Sequence, residues 1–305
     1  MDVLELYRWA VQDPEIHAIV LRTMYERLRH GRQPIVLRED FAGTSADSVA
    51  WVALRRGGRA VAIDLDGPTL QWARHRAARL LGARASEIQF IQADVRCVGP
   101  PTVPHADIIS VLNYSIFYLH NPDELRSYLR QAFNGLAPEG ILVFNLFGGL
   151  ERVRPGATRR WVTPQPRLPA ESPFPEFEYT WEVRSYDRAS ERLDCRIHFA
   201  IPDPAGPERM RDVSDVFTYH FRLWSVRELV GACVHAGFSE VQVWRHTYDP
   251  SKGPLGVFLG RVDPDSVLPL ENWTAYIVAC CAKGEGHGQV VVVETRDVAC
   301  DEISF

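Results

Sequence analysis

The first half of the chain alternates between short apolar runs and longer segments with apolar residues at helical spacing. An apolar run without polar alternation is typical of a strand covered on both faces, as in a parallel sheet. We therefore predict a Rossmann-like, doubly wound α/β domain over residues 1–150, with two helices ahead of its first strand. Its five strands are predicted at 35–37, 60–63, 88–91, 107–112 and 141–144.

The pattern changes near residue 148. Residues 151–176 contain six prolines and no periodicity, which predicts a loop. Segments with strand-like alternation follow, separated by predicted turns, and indicate an antiparallel β insert over residues 151–224 after strand 5. The alternating segments are 178–186, 192–199 and 216–224, with turns at 187–190 and 202–207.

The α/β pattern resumes after the insert. Ser225 is followed three residues later by Glu228, a capping-box spacing that predicts a helix start. Further predicted elements are strands at 241–244 and 275–280 and a loop at 249–270; together they complete the core over residues 225–282. The tail, residues 283–305, is assigned no element.

The composition of the chain excludes several classes of binding partner from our expectations. The net charge is −5, and Lys and Arg are scattered, so a nucleic-acid partner is not expected. The N-terminus lacks the basic start and apolar run of a signal peptide, and no apolar stretch approaches the roughly 20 residues that span a bilayer. We expect a cytoplasmic protein without membrane contact. Six cysteines and ten histidines show no metal-ligand spacing, so no metal is expected.

Polar residues follow the predicted strands, where an open α/β sheet binds its ligands. Asp64 closes strand 2, and its carboxylate can accept hydrogen bonds from both hydroxyls of a ribose. Asp94 follows strand 3, where it can accept from an adenine amine. Gly43 after strand 1 lets the backbone approach a ligand closely. A single Asp at a strand end is often only a helix cap or turn residue; the ordered recurrence predicts a nucleoside site.

A nicotinamide dinucleotide competes for the same architecture. It needs a glycine-rich turn that seats a pyrophosphate on a helix N-terminus. Here the turn has one glycine, Gly43, and two acidic neighbours, Glu39 and Asp40. Two carboxylates repel a pyrophosphate but tolerate a sulfonium ligand with an amino group. The turn therefore favours a methyl donor over a dinucleotide.

Residues 35–146 resemble the core of the class I S-adenosylmethionine-dependent methyltransferases. The sequence of the first motif, residues 37–44, further resembles an uncharacterised bacterial branch of that superfamily. So do the sequences of residues 6–7, 12–14 and 218–224. Phe41 and Ser45 depart from the family pattern, because they occupy its outer two glycine positions. The motifs that carry the resemblance are 37–44, 62–66, 92–95 and 134–140.

The resemblance implies S-adenosylmethionine as donor and S-adenosylhomocysteine as product. It implies that Asp64 binds the ribose, Asp94 the adenine amine, and Glu39 the amino group, directly or through water. The backbone of Phe41, Ala42 and Gly43 would hold the methionine moiety. The remaining predicted donor contacts are Tyr7, Leu65, Val95 and Asn113.

Methyl transfer from a sulfonium is an in-line displacement, which needs a base only if the acceptor must lose a proton. The candidate catalytic groups are Tyr114, Tyr118 and His220. The alternative for the tyrosines is packing or a structural hydrogen bond. His220 shares one face of its predicted strand with Thr218, and this face is either solvent-exposed or a lid over the acceptor.

The segment after strand 4, 113–116, lacks the Asn/Asp-Pro-Pro-aromatic sequence common in methyltransferases that act on amides or exocyclic amines. We therefore expect a small-molecule N or O acceptor, with the Trp- and Tyr-rich insert shaping its pocket. The alternative role of the insert is a homodimerisation sheet. The rival functional hypothesis is a non-catalytic S-adenosylmethionine-binding regulatory or interaction module.

Overall fold

The computed structural model describes residues 2–203, 206–248, 257–263, 266 and 270–281. The helices are α1 (Val3–Val11), α2 (Pro14–Leu28), α3 (Ala46–Leu54), α4 (Gly67–Leu81), α5 (Pro122–Gly135), α6 (Leu150–Val153) and α7 (Val226–Ala236). The strands are β1 (Val36–Asp40), β2 (Arg59–Asp64), β3 (Ile88–Gln92), β4 (Ala106–Val111), β5 (Leu136–Gly148), β6 (Gly156–Val162), β7 (Phe177–Asp187), β8 (Arg192–Asp203), β9 (Gly206–Arg222), β10 (Glu240–Tyr248), β11 (Val257–Val262) and β12 (Trp273–Cys280).

The larger sheet has eight strands in the order β11-β10-β12-β5-β4-β1-β2-β3. Strands β1 to β5 pair in parallel, and β12 pairs antiparallel with both β5 and β10. The strand order reverses beside β1, which places a crevice at the carboxyl ends of β1 and β4. This confirms the predicted doubly wound, mostly parallel sheet.

Both faces of this sheet are covered. On β4, Ile108 packs in a cluster with residues of α2 and α3, whereas its neighbour Ile109 packs in a cluster with residues of α5 and α7. Adjacent residues of a strand point to opposite faces, so the helices form two layers. This explains why the parallel strands are continuous apolar runs.

Local signals fix several helix starts. Ser225 and Glu228 form the predicted capping box at α7, and Asn121 with Glu124 forms another at α5. Asp13 precedes α2 with Pro14 in its first turn, as predicted, but the Asp13 side chain makes no cap hydrogen bond.

The β insert is a separate antiparallel sheet in the order β6-β7-β8-β9. The prediction of a loop over 151–176 was wrong, because α6 and β6 lie there. Strand β6 is an edge strand, exposed at every residue except Val162, so it has no apolar alternation to detect. The predicted turn at 202–207 is shorter, since β8 and β9 pair as far as Asp203 and Gly206.

The inner face of the insert packs against the core of the larger sheet. Phe177, Phe199 and Phe221 from the insert share one buried cluster with Phe117 and Phe147 from the α/β core. Strand β11 lies within the loop predicted at 249–270, most of which is outside the described residues. The tail 283–305 also lies outside them, and the limits 1–150, 151–224 and 225–282 stay a prediction. No helix in the described ranges could cross a bilayer.

Candidate active site

A cavity of about 480 Å³, the first cavity, lies beyond the carboxyl ends of β1, β2 and β3. Residues of α1, α4, α5 and β9 and of the segment after β4 complete its lining. The structure brings together here eight residues that the sequence singled out. They are Tyr7, Phe41, Gly43, Asp64, Leu65, Asp94, Val95 and Tyr118.

Asp64 joins two strand ends at this cavity. Its Oδ2 accepts a hydrogen bond from the Gly43 backbone N–H at 2.6 Å, and its Oδ1 accepts from the Asp66 N–H at 2.9 Å. Each carboxylate oxygen keeps a further lone pair for a ligand hydroxyl. The carboxylate thus holds the turn after β1 against the end of β2.

The turn after β1 has a left-handed backbone. Phe41 has φ +56°, Gly43 +47° and Ser45 +52°. Such angles cost free energy for side chains other than glycine and concentrate at functional sites. The Ala42 N–H donates to Ile63 O at 2.9 Å, and the Ala42 side chain is buried in the core and does not line the cavity. The departures at Phe41 and Ser45 therefore leave the turn intact.

Glu39 lies behind this turn and does not line the cavity. Its Oε2 accepts from the Ser48 N–H at 2.8 Å and from the Ser48 hydroxyl at 2.5 Å. Burial, with the charge of Asp47, raises the pKa of Glu39 well above its ordinary value. Glu39 is therefore hydrogen-bonded to the N-terminal turn of α3, where it stabilises the turn after β1.

Asp40 points to the opposite side of β1. It accepts from Arg38 Nε at 2.7 Å and from the Tyr128 hydroxyl at 3.0 Å, and all three side chains are buried. The prediction that Glu39 and Asp40 both lie beside the ligand was wrong, because neither lines the first cavity. The two residues are adjacent on a strand and face opposite sides, each towards its own buried partners.

Asp94 and Arg96 form the polar end of the first cavity. Arg96 holds Asp94 through its Nη2 at 2.7 Å and its backbone N–H at 2.8 Å, and these hydrogen bonds lower the pKa of Asp94. Arg96 also reaches Glu124 at 3.2 Å. Beside them the Leu65 side chain is 64% exposed and lines the same cavity. A carboxylate next to an open apolar surface suits the edge and face of a purine ring.

Aromatic residues close the other end. Tyr118 stacks on Phe41 with ring centroids 6.4 Å apart and contacts Tyr219 of β9. The ring of Tyr7 of α1 packs on Phe217 of β9, with ring centroids 4.8 Å apart. Desolvation raises the pKa of Tyr7 to about 12. The α1 helix and the insert therefore meet over the cavity at Tyr7, Phe217 and Tyr219.

A second cavity, of about 600 Å³, lies under the insert on the far side of Tyr7 and Tyr219. Tyr7 and Tyr219 line both cavities. Asn113 and Tyr114 line the second cavity and not the first; they follow β4 with φ of +53° and +63°. The Tyr114 N–H donates to Asn145 Oδ1 at 2.8 Å, which fixes this turn.

His220 lines neither of these cavities. Its side chain is 63% exposed and lies 3.4 Å from Asp194 on the outer face of the insert. Phe217 and Tyr219 alternate with Thr218 and His220 along β9 and pack against the main buried cluster. Both also line the first cavity, as does Thr218. Only the tertiary position of β9 shows that this strand lies over a cavity.

A group of potential metal ligands, Glu182, His198 and Asp215, lies on the insert. Its polar atoms are already engaged. His198 Nε2 lies 3.0 Å from Glu182, and its Nδ1 accepts from the Asp215 N–H at 2.9 Å. Arg184 contacts both carboxylates, at 2.8 and 3.0 Å. With one ring nitrogen accepting and the other facing a carboxylate, His198 keeps no lone pair for a metal.

Solved structures share this architecture. An amino pentose methyltransferase of calicheamicin biosynthesis from Micromonospora echinaspora, solved with S-adenosylmethionine bound, has 18% identity and a TM-score of 0.61, covering 92% of this chain and 97% of that one. DesVI from Streptomyces venezuelae has 16% identity and a TM-score of 0.63, covering 92% and 98%. The chain has a methyltransferase fold.

A sugar N-methyltransferase from a Streptoalloteichus species extends this likeness, with 16% identity, a TM-score of 0.60 and 92% of both chains covered. No family model and no curated protein sequence matches the chain. In this methyltransferase fold the first cavity lies at the carboxyl ends of the central strands, where the sequence predicted the donor.

Proposed function

We propose that the protein is an S-adenosylmethionine-dependent methyltransferase that transfers a methyl group to an N or O atom of a small molecule. The observation that carries the proposal is the junction of two cavities at Tyr7 and Tyr219. One cavity suits a nucleoside donor and the other an acceptor. The structural neighbours include an amino pentose methyltransferase and a sugar N-methyltransferase, which supports the same reaction class.

In this proposal the donor occupies the first cavity. Asp64 accepts from the ribose hydroxyls, and Asp94 accepts from the adenine amine while Leu65 and Val95 cover the ring. The Gly43 turn approaches the methionine moiety, and Glu39 supports the turn from behind, so its reach to the amino group requires a bridging water. Acidic lining suits a ligand with a sulfonium and an amino group.

The junction would bring the acceptor next to the methyl group of the donor. A lone pair of the acceptor attacks the methyl carbon in line, the carbon–sulfur bond breaks with its electron pair on sulfur, and S-adenosylhomocysteine leaves. An N or O acceptor releases one proton to solvent. Holding the two reactants in line supplies much of the acceleration.

The tyrosines act as hydrogen-bonding groups in this reaction, not as bases. Desolvation raises the pKa of Tyr7 to about 12 and raises the pKa of Tyr114 and Tyr219 as well. Even a solvated tyrosine titrates near 10. Their hydroxyls therefore stay protonated at neutral pH and orient the acceptor. Tyr118 lines only the first cavity and packs beside Tyr219.

Calorimetry with S-adenosylmethionine and S-adenosylhomocysteine, followed by a turnover screen across amines and alcohols, tests the proposal. We expect binding of both nucleosides and formation of S-adenosylhomocysteine with at least one acceptor class. Donor binding without turnover across the screen would favour the non-catalytic binding module. Absence of donor binding would overturn both functions.

A matched pair of variants tests the junction. Tyr219→Phe removes the hydroxyl between the cavities, and we expect kcat to fall about tenfold through loss of alignment, with unchanged affinity for S-adenosylhomocysteine. Tyr186→Phe removes a hydroxyl that is bonded to Glu191 away from both cavities, and it should leave kcat unchanged. Equal kcat in both variants would show that the reaction does not use the junction.

A further inference from the structure

We propose that the acceptor is an anion: a ring-bearing small molecule with a carboxylate or phosphate group held by arginines of the second cavity. The inference rests on the proposed function and adds the chemical class of the substrate. Its basis is the charge and shape of the lining, which α1, the turn after β4, the end of β5, α6 and the insert strands β6 to β9 form together.

The two cavities carry opposite charge. The first cavity is lined by four carboxylates, Asp64, Asp66, Asp94 and Glu124, against the guanidinium of Arg96. The second is lined by three guanidiniums, from Arg152, Arg154 and Arg160, against the carboxylate of Glu151. S-adenosylmethionine has a net positive charge, so an acidic cavity attracts it and a basic cavity repels it. The basic cavity instead attracts an anionic acceptor, and this contrast separates the two substrates.

Two of the arginines are held in place by the protein. Arg160 lies over the Tyr179 ring at 4.9 Å and donates one Nη2 hydrogen bond to the Ala10 carbonyl. Arg152 donates from Nε to Asn272 Oδ1 at 2.7 Å and lies over the ring of Phe147. A guanidinium has five N–H donors, so both retain donors for an oxyanion, and their positions are already fixed before a ligand arrives.

Arg154 supplies the exposed part of the basic lining. Within the part of the chain that the structure describes, its guanidinium has no hydrogen bond and no ion pair. Guanidinium groups form paired hydrogen bonds with carboxylate and phosphate oxygens, which gives orientation as well as affinity. An anion here would therefore be anchored at one end of the acceptor.

The remaining lining fits the body of such a molecule. Tyr114, Phe147, Trp181 and Phe221 form an aromatic wall under the insert, and Tyr219 leads to the first cavity. Aromatic walls bind ring faces, whether of a sugar or of an aromatic group. An acceptor held by its anion and its ring would present a third group, the nucleophile, toward Tyr7 and Tyr219.

Calorimetric titration of simple probes tests the inference on protein saturated with S-adenosylhomocysteine. The probes are phenyl phosphate, benzoate and the neutral benzamide. We expect at least one anion to bind about tenfold more tightly than benzamide, and to weaken as the salt concentration rises, because the contacts are ionic. The comparison of phenyl phosphate with benzoate shows whether the cavity prefers a phosphate or a carboxylate group. Equal affinities for all three probes would overturn the inference.

Two adjacent arginines of β6, Arg159 and Arg160, and Arg154 just before this strand give matched variants. Arg154→Gln and Arg160→Gln each should weaken the anion about tenfold through loss of a charge-assisted hydrogen bond. Arg159→Gln is the control, because Arg159 is 69% exposed on the opposite face of β6, near Glu178. Equal weakening in the Arg159 and Arg154 variants would place anion binding outside the cavity and overturn the inference.

The two proposals fail in different ways. If S-adenosylhomocysteine binds but no anion does, the substrate class is wrong and the methyltransferase function stands. If no nucleoside binds, the methyltransferase function is wrong, and anion titrations of the free protein still test the basic cavity. Arg154 is exposed, so its variant should fold, and its thermal unfolding midpoint should match that of the wild type.

Discussion

The backbone N–H of Gly43 donates to Asp64 Oδ2 at 2.6 Å, which joins the turn after β1 to the end of β2. One carboxylate therefore does two things: it shapes the glycine turn and it faces the first cavity. The charge of Asp64 assists this hydrogen bond, and the ribose hydroxyls in the proposed complex would meet the same oxygens.

Asp64→Asn tests this double role. The amide keeps one acceptor oxygen but places an NH2 group against either the Gly43 or the Asp66 N–H. We expect the affinity for S-adenosylhomocysteine to weaken by about 1–3 kcal/mol through the loss of charged hydrogen bonds, measured by calorimetry. Asp123→Asn is the control, since Asp123 is exposed and pairs with Arg126 on the same helix. Unchanged affinity in the Asp64 variant would contradict the placement of the ribose.

Ser45 carries a removable strain. It is the N-cap residue before α3 with φ +52°, it is fully buried, and its hydroxyl has no hydrogen-bond partner among the described residues. Ser45→Gly relieves the left-handed backbone and removes an unpaired polar group, while glycine costs backbone entropy. We expect a net gain of about 1 kcal/mol in the free energy of unfolding, measured by urea denaturation.

Ser48→Gly is the matched control for that gain. Ser48 lies inside α3, and its hydroxyl and N–H both donate to Glu39. Here glycine lowers the helix propensity and removes the hydroxyl that donates to the Glu39 carboxylate. We therefore expect the free energy of unfolding to fall by about 2–4 kcal/mol. A loss of stability in both variants would mean that the Ser45 backbone is not strained.

The strand ends were predictable because their signals are local. Asp64 and Asp94 follow apolar runs whose length alone identifies them as strands, and parallel strands bring their carboxyl ends to one edge. The capping box at Ser225 is likewise contained in four residues. Such features need no knowledge of the rest of the chain.

The rest depends on tertiary position. The predicted first strand ended at residue 37, so Glu39 and Asp40 were not placed on opposite faces of β1, which reaches Asp40. Nor could the sequence show that Tyr219 and not His220 lies over the site. Strand parity separates such neighbours but does not say which face meets the ligand. Strand β6 was missed for another reason: an exposed edge strand is stabilised by backbone pairing with β7, which leaves no hydrophobic pattern.

Asp40 and Arg38 form an ion pair without solvent contact, at 2.7 Å, and the hydroxyl of Tyr128 completes it. Asp40→Leu leaves a buried guanidinium unpaired, so we expect a loss of about 3–5 kcal/mol in the free energy of unfolding. The triple variant Arg38→Met, Asp40→Leu, Tyr128→Phe removes every polar partner together and should lose less. Denaturant unfolding compares them, and a triple variant less stable than the single one would contradict an unpaired charge as the cause.

His17 of α2 and Asp47 of α3 give stability a pH dependence. Their side chains are buried, with Nδ1 and Oδ1 2.9 Å apart. Burial lowers the pKa of His17, but the charge of Asp47 and its hydrogen bond outweigh this and raise the pKa overall. A histidine whose pKa is higher in the folded state contributes stability that is fully present below about pH 6.5, its unfolded value. That contribution is lost as the pH rises through the folded pKa.

The variant His17→Asn tests this pH-dependent contribution to stability, because its amide can still donate a hydrogen bond to Asp47 but cannot titrate. We expect the free energy of unfolding of the wild type to fall relative to the variant as the pH rises above about 6.5, measured by urea denaturation from pH 5 to 9. The raised pKa of Glu39 also makes stability fall with rising pH, but Glu39 is present in both proteins, so most of its contribution cancels in the difference. A difference that does not change with pH would mean that His17 is uncharged beside Asp47 throughout this range.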